Sequence, residues 1–380
     1  MRESFLPYGR QAISEEDIDA VCDVLKSDWL TTGPKVEEFE KAFASFVGAK
    51  EAVAISNGTA ALHAAMFALD ITKGDEVIVP TMTFAATANA VVFQGGTPVF
   101  VDSDPETLLI DPTKIEKAIT NKTKAIICVD YTGHACDYSA LKTIASAHNL
   151  PLVADACHAL GGTADGKSIG SIADLSTFSF HPVKPIATGE GGMITTNDAA
   201  LAKKMRQFRN HCIDSDHRER QEQGSWFYEM TDLGYNYRLT DIQCALGITQ
   251  LKNVPKWTAR RQEIAKIYDE AFAQMDAVTP LAVRDNVSHT YHLYVVKVRK
   301  DRAEVFKALR EENIGVNVHY IPVHLHPFYQ NNFSTKTGQC PIAEKAYEHI
   351  LSLPMFPAMT DDDVKDVCDA LQKVTTALNI

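Results

Sequence analysis

The chain contains no run approaching the ~18 apolar residues that a membrane helix needs, so a spanning segment is not expected. Its N-terminus lacks a cationic stretch followed by an apolar core and a cleavage site. The expectation is a soluble, cytoplasmic protein. The eight cysteines (Cys22, Cys128, Cys136, Cys157, Cys212, Cys244, Cys340, Cys368) are scattered without paired close spacing, which argues against both a zinc module and a secreted disulfide framework. No lysine/arginine block relieves a net charge of −12. General nucleic-acid binding is therefore disfavoured, and any anionic ligand must be held by local dipoles and a few cations. Internal repeats and low-complexity tracts are also missing. His324-Leu325-His326 has no third ligand at a sensible spacing, so no metal site is expected.

What is present is an ordinary globular composition. With 380 residues, 45% hydrophobic and 23% charged, the chain can bury a large core and is read as two domains, 1–250 and a smaller 251–380. Ala52-Ser56, Glu76-Pro80, Pro98-Asp102, Lys124-Asp130 and Pro151-Asp155 are short apolar runs with turn residues at their ends, and the intervals between them read as helices. That alternation predicts an α/β fold with a mostly parallel sheet covered on both faces. Leu175-Phe180 and Gly192-Thr196 add two strands, followed by a helix near Asp198-Asn210. The polar segment Asp214-Ser225 reads as a mobile loop. A helical pattern from Thr240 to Met275, interrupted at Asn253-Val254-Pro255, carries the chain into an α+β unit. That unit is expected to have strands near His292-Val298 and Gly315-His319 and helices at Arg302-Glu312, Ile342-Ile350 and Asp361-Leu378.

Chemistry concentrates around Phe178-Ser179-Phe180-His181-Pro182-Val183-Lys184-Pro185. A lysine set between prolines, just past a buried strand, is an odd place for a solvated cation. An amine near its unperturbed pKa of about 10.4 is a poor nucleophile at neutral pH, so sites that need one bury it or hold an aldehyde on it permanently. Asp155 ends a short apolar strand, where a protonated pyridine nitrogen would find its carboxylate. Lys184 and Asp155 together suggest pyridoxal phosphate. Ser56-Asn57-Gly58-Thr59-Ala60-Ala61-Leu62 opens a helix directly after the first strand, so first-turn amides and the helix dipole would face a bound anion. By itself this reads first as a capped helix after a tight turn, and Lys184 with Asp155 turns the reading to phosphate binding. Ser179 is placed to offer a hydroxyl to the same phosphate, although alone it would read as a core serine bonding its own backbone.

Asn57-Gly58-Thr59-Ala60-Ala61-Leu62, Thr83-Phe84-Ala85-Ala86-Thr87, Asp155-Ala156-Cys157-His158-Ala159-Leu160-Gly161, Ser179 to Lys184 and Gly234-Tyr235-Asn236-Tyr237-Arg238-Leu239-Thr240-Asp241 resemble the DegT/DnrJ/EryC1/StrS family of sugar aminotransferases along nearly the whole chain. The resemblance implies a pyridoxal 5'-phosphate-dependent transferase of fold type I, aspartate aminotransferase-like. It implies that Lys184 holds the cofactor and shuttles the proton, that Asp155 pairs with the pyridinium nitrogen, and that the amides of Thr59 and Ala60 with the Ser179 hydroxyl bind the phosphate beside Gly58. Phe84 and His158 would lie near the two ring faces. Asn236 would reach the phosphate from a neighbouring subunit, which implies a homodimer with shared active sites, and Arg238 would lie near the same anionic region.

Tyr8, Trp29, Leu30, Thr31, His319, Tyr320 and His324 match positions that line the family's sugar-nucleotide cleft. Tyr8-Gly9-Arg10-Gln11, Trp29 to Pro34 and Trp226 to Met230 most resemble members that move the amino group of L-glutamate, leaving 2-oxoglutarate, to C4 of a UDP-4-keto-6-deoxy-N-acetylhexosamine. Amination of another nucleotide keto sugar is the rival reading, and a non-catalytic pyridoxal phosphate-binding regulator a further one. Relatives with histidine in place of the lysine dehydrate sugars, whereas this chain keeps Lys184. It departs from the family at Arg209-Asn210-His211-Cys212, where relatives often carry glycine in place of Cys212. The departure bears on the loop and not on the cofactor site.

Overall fold

A computed structural model describes residues 2–215, 220, 224–299 and 301–380. The segment expected to be a mobile loop, Asp214-Ser225, lies largely outside the described residues. The main sheet has seven strands: β1 (Glu51–Ile55), β2 (Glu76–Pro80), β3 (Thr97–Val101), β4 (Thr123–Val129), β5 (Leu152–Asp155), β6 (Leu175–Ser179) and β7 (Gly192–Thr196), in the order β1-β7-β6-β5-β4-β2-β3. Every pairing is parallel except those of β7, which runs antiparallel to both β1 and β6. Strands β1, β2, β4, β5 and β6 therefore all end at one edge of the sheet, where side chains from distant parts of the chain can converge.

The strands are buried apolar runs because helices cover them. The helices α1 (Glu15–Leu25), α2 (Pro34–Val47), α3 (Gly58–Ala68), α4 (Ala85–Phe93), α5 (Tyr138–Ala147) and α6 (Ala199–Phe208) belong to this unit. Helix α3 is apolar nearly all round and buried from Ala60 to Met66, as a helix inside a core must be. After α6, His211 and Cys212 take left-handed backbone angles (φ 59° and 51°), and the Cys212 amide donates to the Gln207 carbonyl at 2.8 Å. The departure from glycine thus sits at a position where glycine has no steric cost.

Helix α7 (Asp241–Phe272) starts at a capping box in which the Thr240 hydroxyl accepts the Gln243 amide and the Gln243 side chain accepts the Thr240 amide. The expected interruption at Asn253-Val254-Pro255 is absent, and the helix continues for 32 residues with Pro255 inside it. A proline there removes one backbone bond and costs about 3 kcal/mol. Burial offsets that cost: Leu251 and Val254 belong to the main core, while Ile264, Tyr268 and Phe272 belong to a second one.

This second core is built on a three-stranded antiparallel sheet, β8 (Val278–Pro280), β9 (Tyr294–Val298) and β10 (Ile350–Leu353), in the order β8-β9-β10. Helices α8 (Arg302–Glu311) and α10 (Asp361–Ala377) pack with it, and α9 (Pro341–His349) leads into β10. Gly315-His319 is not a strand. Its region makes isolated bridges, Ile314 with Leu6 and Asn317 with Ser352. Leu6 lies in the second core, so the N-terminal segment is stitched to the small unit. Asp102, just past β3, accepts the amides of Ile342 and Ala343 at 3.1 and 2.9 Å and so clamps the start of α9 to the main sheet. Among the described residues no helix is long and apolar enough to cross a membrane.

Candidate active site

At the carboxyl edge of the main sheet lies a cleft of about 760 Å³. Its wall begins where β1 turns into α3. Asn57 caps the helix, its Oδ1 accepting the Ala60 amide at 2.8 Å, and the first i→i−4 bond runs from Ala61 to Asn57. The amides of Gly58, Thr59 and Ala60 thus precede the helix's own ladder. Because the cap engages Ala60, the uncommitted amides at the helix mouth are those of Gly58 and Thr59. This corrects the expectation for Ala60, which lines the cleft with its amide already bonded. A Cβ at Gly58 would lie 2.8 Å from Ser179 Cβ. Glycine is what lets α3 approach β6 and brings the Ser179 hydroxyl to the helix mouth.

Lys184 sits in the turn after β6, its amide bonded to the His181 carbonyl at 2.8 Å. Burial in the cleft floor pushes its amine down, against the raising effects of Cys157 and Asp155. Asp155 is almost fully buried at the end of β5. Its Oδ2 accepts the Thr87 hydroxyl at 2.7 Å, Thr87 is in turn 2.7 Å from the Thr83 hydroxyl, and Oδ1 accepts the Cys157 amide at 3.3 Å. This chain of partners holds the carboxylate in one orientation.

His158 packs against His292 at a tilt of 43°, with ring centroids 4.3 Å apart, and its Nε2 is 3.2 Å from the Tyr320 hydroxyl. The Nδ1 atoms of both His158 and His292 are buried without a hydrogen-bond partner among the described residues. Burial drives both rings well below the ordinary imidazole range; for His158, Lys184 and His319 add to the effect. His319 falls to about 4, again through burial first and Lys184 second. Around Lys184 the cleft therefore gathers the Asp155 carboxyl and the rings of His158, His292 and His319, which burial disfavours as cations. Phe84 is 59% exposed at the mouth of this cleft, a degree of exposure that leaves most of an aromatic face open for a ligand.

The structure thus brings together Lys184, Asp155, His158, Gly58, Thr59, Ala60, Phe84, Ser179, Tyr8, His319 and Tyr320. It does not place His324 there. That ring is fully buried, with Nδ1 2.5 Å from the Thr81 hydroxyl and Nε2 2.8 Å from Glu344, so both nitrogens are spent on tying the small unit to the sheet. Trp29, Leu30 and Thr31 lie on the surface outside the single-chain cleft, with Thr31 bridged to Thr240. Asn236 is exposed and pairs with Asn210, while the Arg238 guanidinium donates to Asn210 Oδ1 at 2.7 Å. His292, Asn317, Tyr237 and Cys157 line the cleft without having been singled out in the sequence. Cys157 is adjacent to the Asp155 motif and His292 begins an expected strand, but nothing local marks Asn317.

A cleft of this kind, at the carboxyl edge of a mostly parallel sheet followed by a small α+β unit, defines a pyridoxal phosphate-dependent transferase of fold type I. The chain belongs to the DegT/DnrJ/EryC1/StrS aminotransferase family, whose model matches residues 11–372. It is 46% identical over 382 aligned positions to an uncharacterized protein of Methanocaldococcus jannaschii, covering 99% of each chain. To the spore coat polysaccharide biosynthesis protein SpsC of Bacillus subtilis it is 45% identical, covering 98% of each. Among solved structures, the putative sugar aminotransferase Spr1654 of Streptococcus pneumoniae superposes in its PMP-form with a TM-score of 0.93 at 33% identity, covering 98% of this chain and 100% of that one. The same protein is known in a PLP-form. PseC of Helicobacter pylori, an aminotransferase of pseudaminic acid biosynthesis, superposes with a TM-score of 0.92 at 32% identity, covering 98% and 100%.

Proposed function

We propose that the protein is a pyridoxal phosphate-dependent aminotransferase that moves the amino group of L-glutamate to C4 of a UDP-4-keto-6-deoxy-N-acetylhexosamine, giving UDP-4-amino-4,6-dideoxy-N-acetyl-β-L-altrosamine for pseudaminic acid biosynthesis. The observation that carries the aminotransferase reading is a lysine amine, made less basic by burial, on the floor of a cleft it shares with the Thr87-held carboxylate of Asp155. The residues present fit the cofactor: a helix mouth with free amides, a serine hydroxyl beside it, an open aromatic face at Phe84 and an unpartnered imidazole nitrogen at His158. When bound, pyridoxal phosphate supplies an exchangeable aldehyde and a ring that accepts electrons from a deprotonated carbon.

The chain's own residues do the rest. Lys184 Nζ would anchor the cofactor, and burial, by lowering its basicity, favours the neutral amine that can take a proton from the substrate carbon and return it. Asp155, oriented by Thr87, accepts the pyridinium N–H. Gly58 and Thr59 amides and the Ser179 hydroxyl bind the phosphate. The neutral rings of His158, His292 and His319 add no positive charge that would repel Lys184 when it is protonated. Tyr8, His319 and Tyr320 face the sugar side of the cleft.

The assembly belongs to the same reading. Asn236 and Arg238 would serve a second copy of the chain rather than their own cleft, in a homodimer. What supports this is the exposed apolar stretch just before them, with Trp226 85% and Leu233 67% exposed, a surface that water alone solvates poorly.

The test is incubation with glutamate and a panel of keto sugar nucleotides, with the product identified by mass and NMR. UDP-2-acetamido-2,6-dideoxy-β-L-arabino-4-hexulose should be turned over with a higher kcat/KM than its D-xylo epimer, because the cleft presents one face of C4. Equal or better turnover of the epimer overturns the sugar and leaves the aminotransferase. A second reading, amination of a different nucleotide keto sugar, is favoured by the higher identity to SpsC (45%) than to PseC (32%), and the same panel decides it.

A further inference from the structure

The His158 ring is held from the small-unit side of the cleft. Residues 290–293, which lead into β9, lie against the turns that follow β4 and β5: the Thr290 amide donates to the Gly133 carbonyl at 3.1 Å and the Leu293 amide to the Thr132 carbonyl at 3.2 Å. The Thr290 hydroxyl donates to the His158 carbonyl at 2.8 Å. A Cβ at Gly133 would collide with that hydroxyl and stand 2.8 Å from the same carbonyl, so glycine, here at φ 96°, is what admits the segment. From the other side the buried Arg261 guanidinium donates through Nη1 to the carbonyls of Tyr291, His292 and Met355 at 3.2, 3.4 and 2.8 Å. The backbone that carries His292 is thus fixed on both sides. The His158 ring is less constrained. Rotation of an imidazole about χ2 is soft, and the bond from Nε2 to the Tyr320 hydroxyl at 3.2 Å pins one edge without setting the rotation. The Nδ1 atoms of both histidines are buried without a partner among the described residues, so what acts on the ring is the face of His292, 4.3 Å away between centroids at a tilt of 43°. The Tyr320 ring stands farther off, at 6.3 Å.

We infer that His292 is a positioning residue: its ring, anchored through residues 290–293, sets the rotation of the His158 ring and so the face that His158 turns to the cofactor. The inference rests on the proposed function for the place of the cofactor beside His158. It assigns the effect to ring packing and not to hydrogen bonding, because the contact between the two histidines is face to face and uses neither Nδ1. A phenyl ring can therefore replace the imidazole, and a polar side chain without a ring cannot.

The test reads the cofactor-loaded protein by absorbance titration and by visible circular dichroism, which reports how the cofactor's ring is surrounded. His292→Leu removes the ring and should raise the apparent cofactor Kd about two- to twelvefold, as loss of one ring pair does, and shrink the visible dichroism. His292→Phe, which keeps a ring and has no nitrogen, should bring both readings back to within about twofold of the unaltered protein, whereas His292→Asn, polar and without a ring, should behave as His292→Leu. In a His158→Ala background His292→Leu should change neither reading further, because its effect passes through His158. The glutamate and keto-sugar half-reactions should slow alike, since the His158 ring serves the cofactor and neither substrate. An effect of His292→Leu that shows only as a lower Tm, that adds in full to His158→Ala, that asparagine repairs and phenylalanine does not, or that is confined to one half-reaction overturns the inference. Should His292→Phe not fold, the cycle with His158→Ala decides alone; should His292→Leu not fold, His292→Asn takes its place in that cycle. If the unaltered protein binds the cofactor yet aminates no keto sugar, the proposed function falls while the dichroism and the cycle still decide His292.

Discussion

Gly58→Ala perturbs the closest backbone approach in the cleft. The new Cβ would stand 2.8 Å from Ser179 Cβ, 3.2 Å from Ser179 Oγ and 3.4 Å from Cys157 Sγ. Ordinary carbon–carbon contact begins near ~3.5 Å, and Ser179 Cβ is fixed to strand β6 rather than being the end of a flexible chain. The first turn of α3 must therefore lift off the strand, an overpacking that costs about 1–3 kcal/mol. For a chain of 380 residues, with an unfolding entropy of about 0.8 kcal/mol per kelvin, that corresponds to a fall of about 1–4 °C in Tm. If the same strain is felt in binding, cofactor Kd rises about 5- to 150-fold. A second substitution tells steric strain from any other cause. Ser179→Ala keeps the Cβ and hence the shortest contact, whereas Ser179→Gly removes it. Calorimetric Tm of the cofactor-free protein should recover in Gly58→Ala/Ser179→Gly and not in Gly58→Ala/Ser179→Ala. Cofactor affinity, read by absorbance titration, should recover in neither, because both lack the hydroxyl. An unchanged Tm and Kd in Gly58→Ala, or equal rescue by both partners, would refute the reasoning.

Three further expectations follow from the same cleft. Borohydride reduction of the cofactor-loaded protein should fix the cofactor on Lys184, and Lys184→Ala should abolish turnover while retaining some cofactor through the phosphate cup; peptide mapping to another lysine contradicts the assignment. Mixing inactive Lys184→Ala with inactive Asn236→Ala subunits should restore activity at one hybrid site, and no recovery after verified subunit exchange would show that Asn236 acts within its own chain or is dispensable. His319 has a folded pKa of about 4 against an unfolded 6.5, through burial and then Lys184, so between these values the unfolded chain binds the proton first. Its contribution to stability is complete above pH 6.5 and is lost as pH falls towards 4, about 3 kcal/mol in all. His319→Gln should flatten that part of the stability curve in urea unfolding, and an unchanged slope would contradict a buried neutral ring.

How much of this was legible before folding depends on the range of the interactions concerned. Strands β1, β2, β4, β5 and β6 stand out as apolar runs closed by turn residues because a strand buried on both faces has to be apolar along its length. Lys184 between prolines, Asp155 at a strand end and Asn57-Gly58 at a helix start are likewise local patterns, and they carried the cofactor reading without any contact map. The continuity of α7 through Pro255 was not legible, since it depends on two cores that meet only in the folded chain. The same holds for His324, which looked like a cleft residue until Thr81 and Glu344 claimed both its nitrogens. Asn317 carries no mark at all in its own neighbourhood, and only the fold brings it to the cleft, with its Nδ2 3.2 Å from His319 Nε2. Sequence alone determined which elements form and which reactive groups end their strands, because backbone periodicity and turn chemistry act between near neighbours. Tertiary structure alone decided which polar atoms are already bonded and which remain free for a ligand, because each hydrogen bond consumes a donor and an acceptor brought together only by packing.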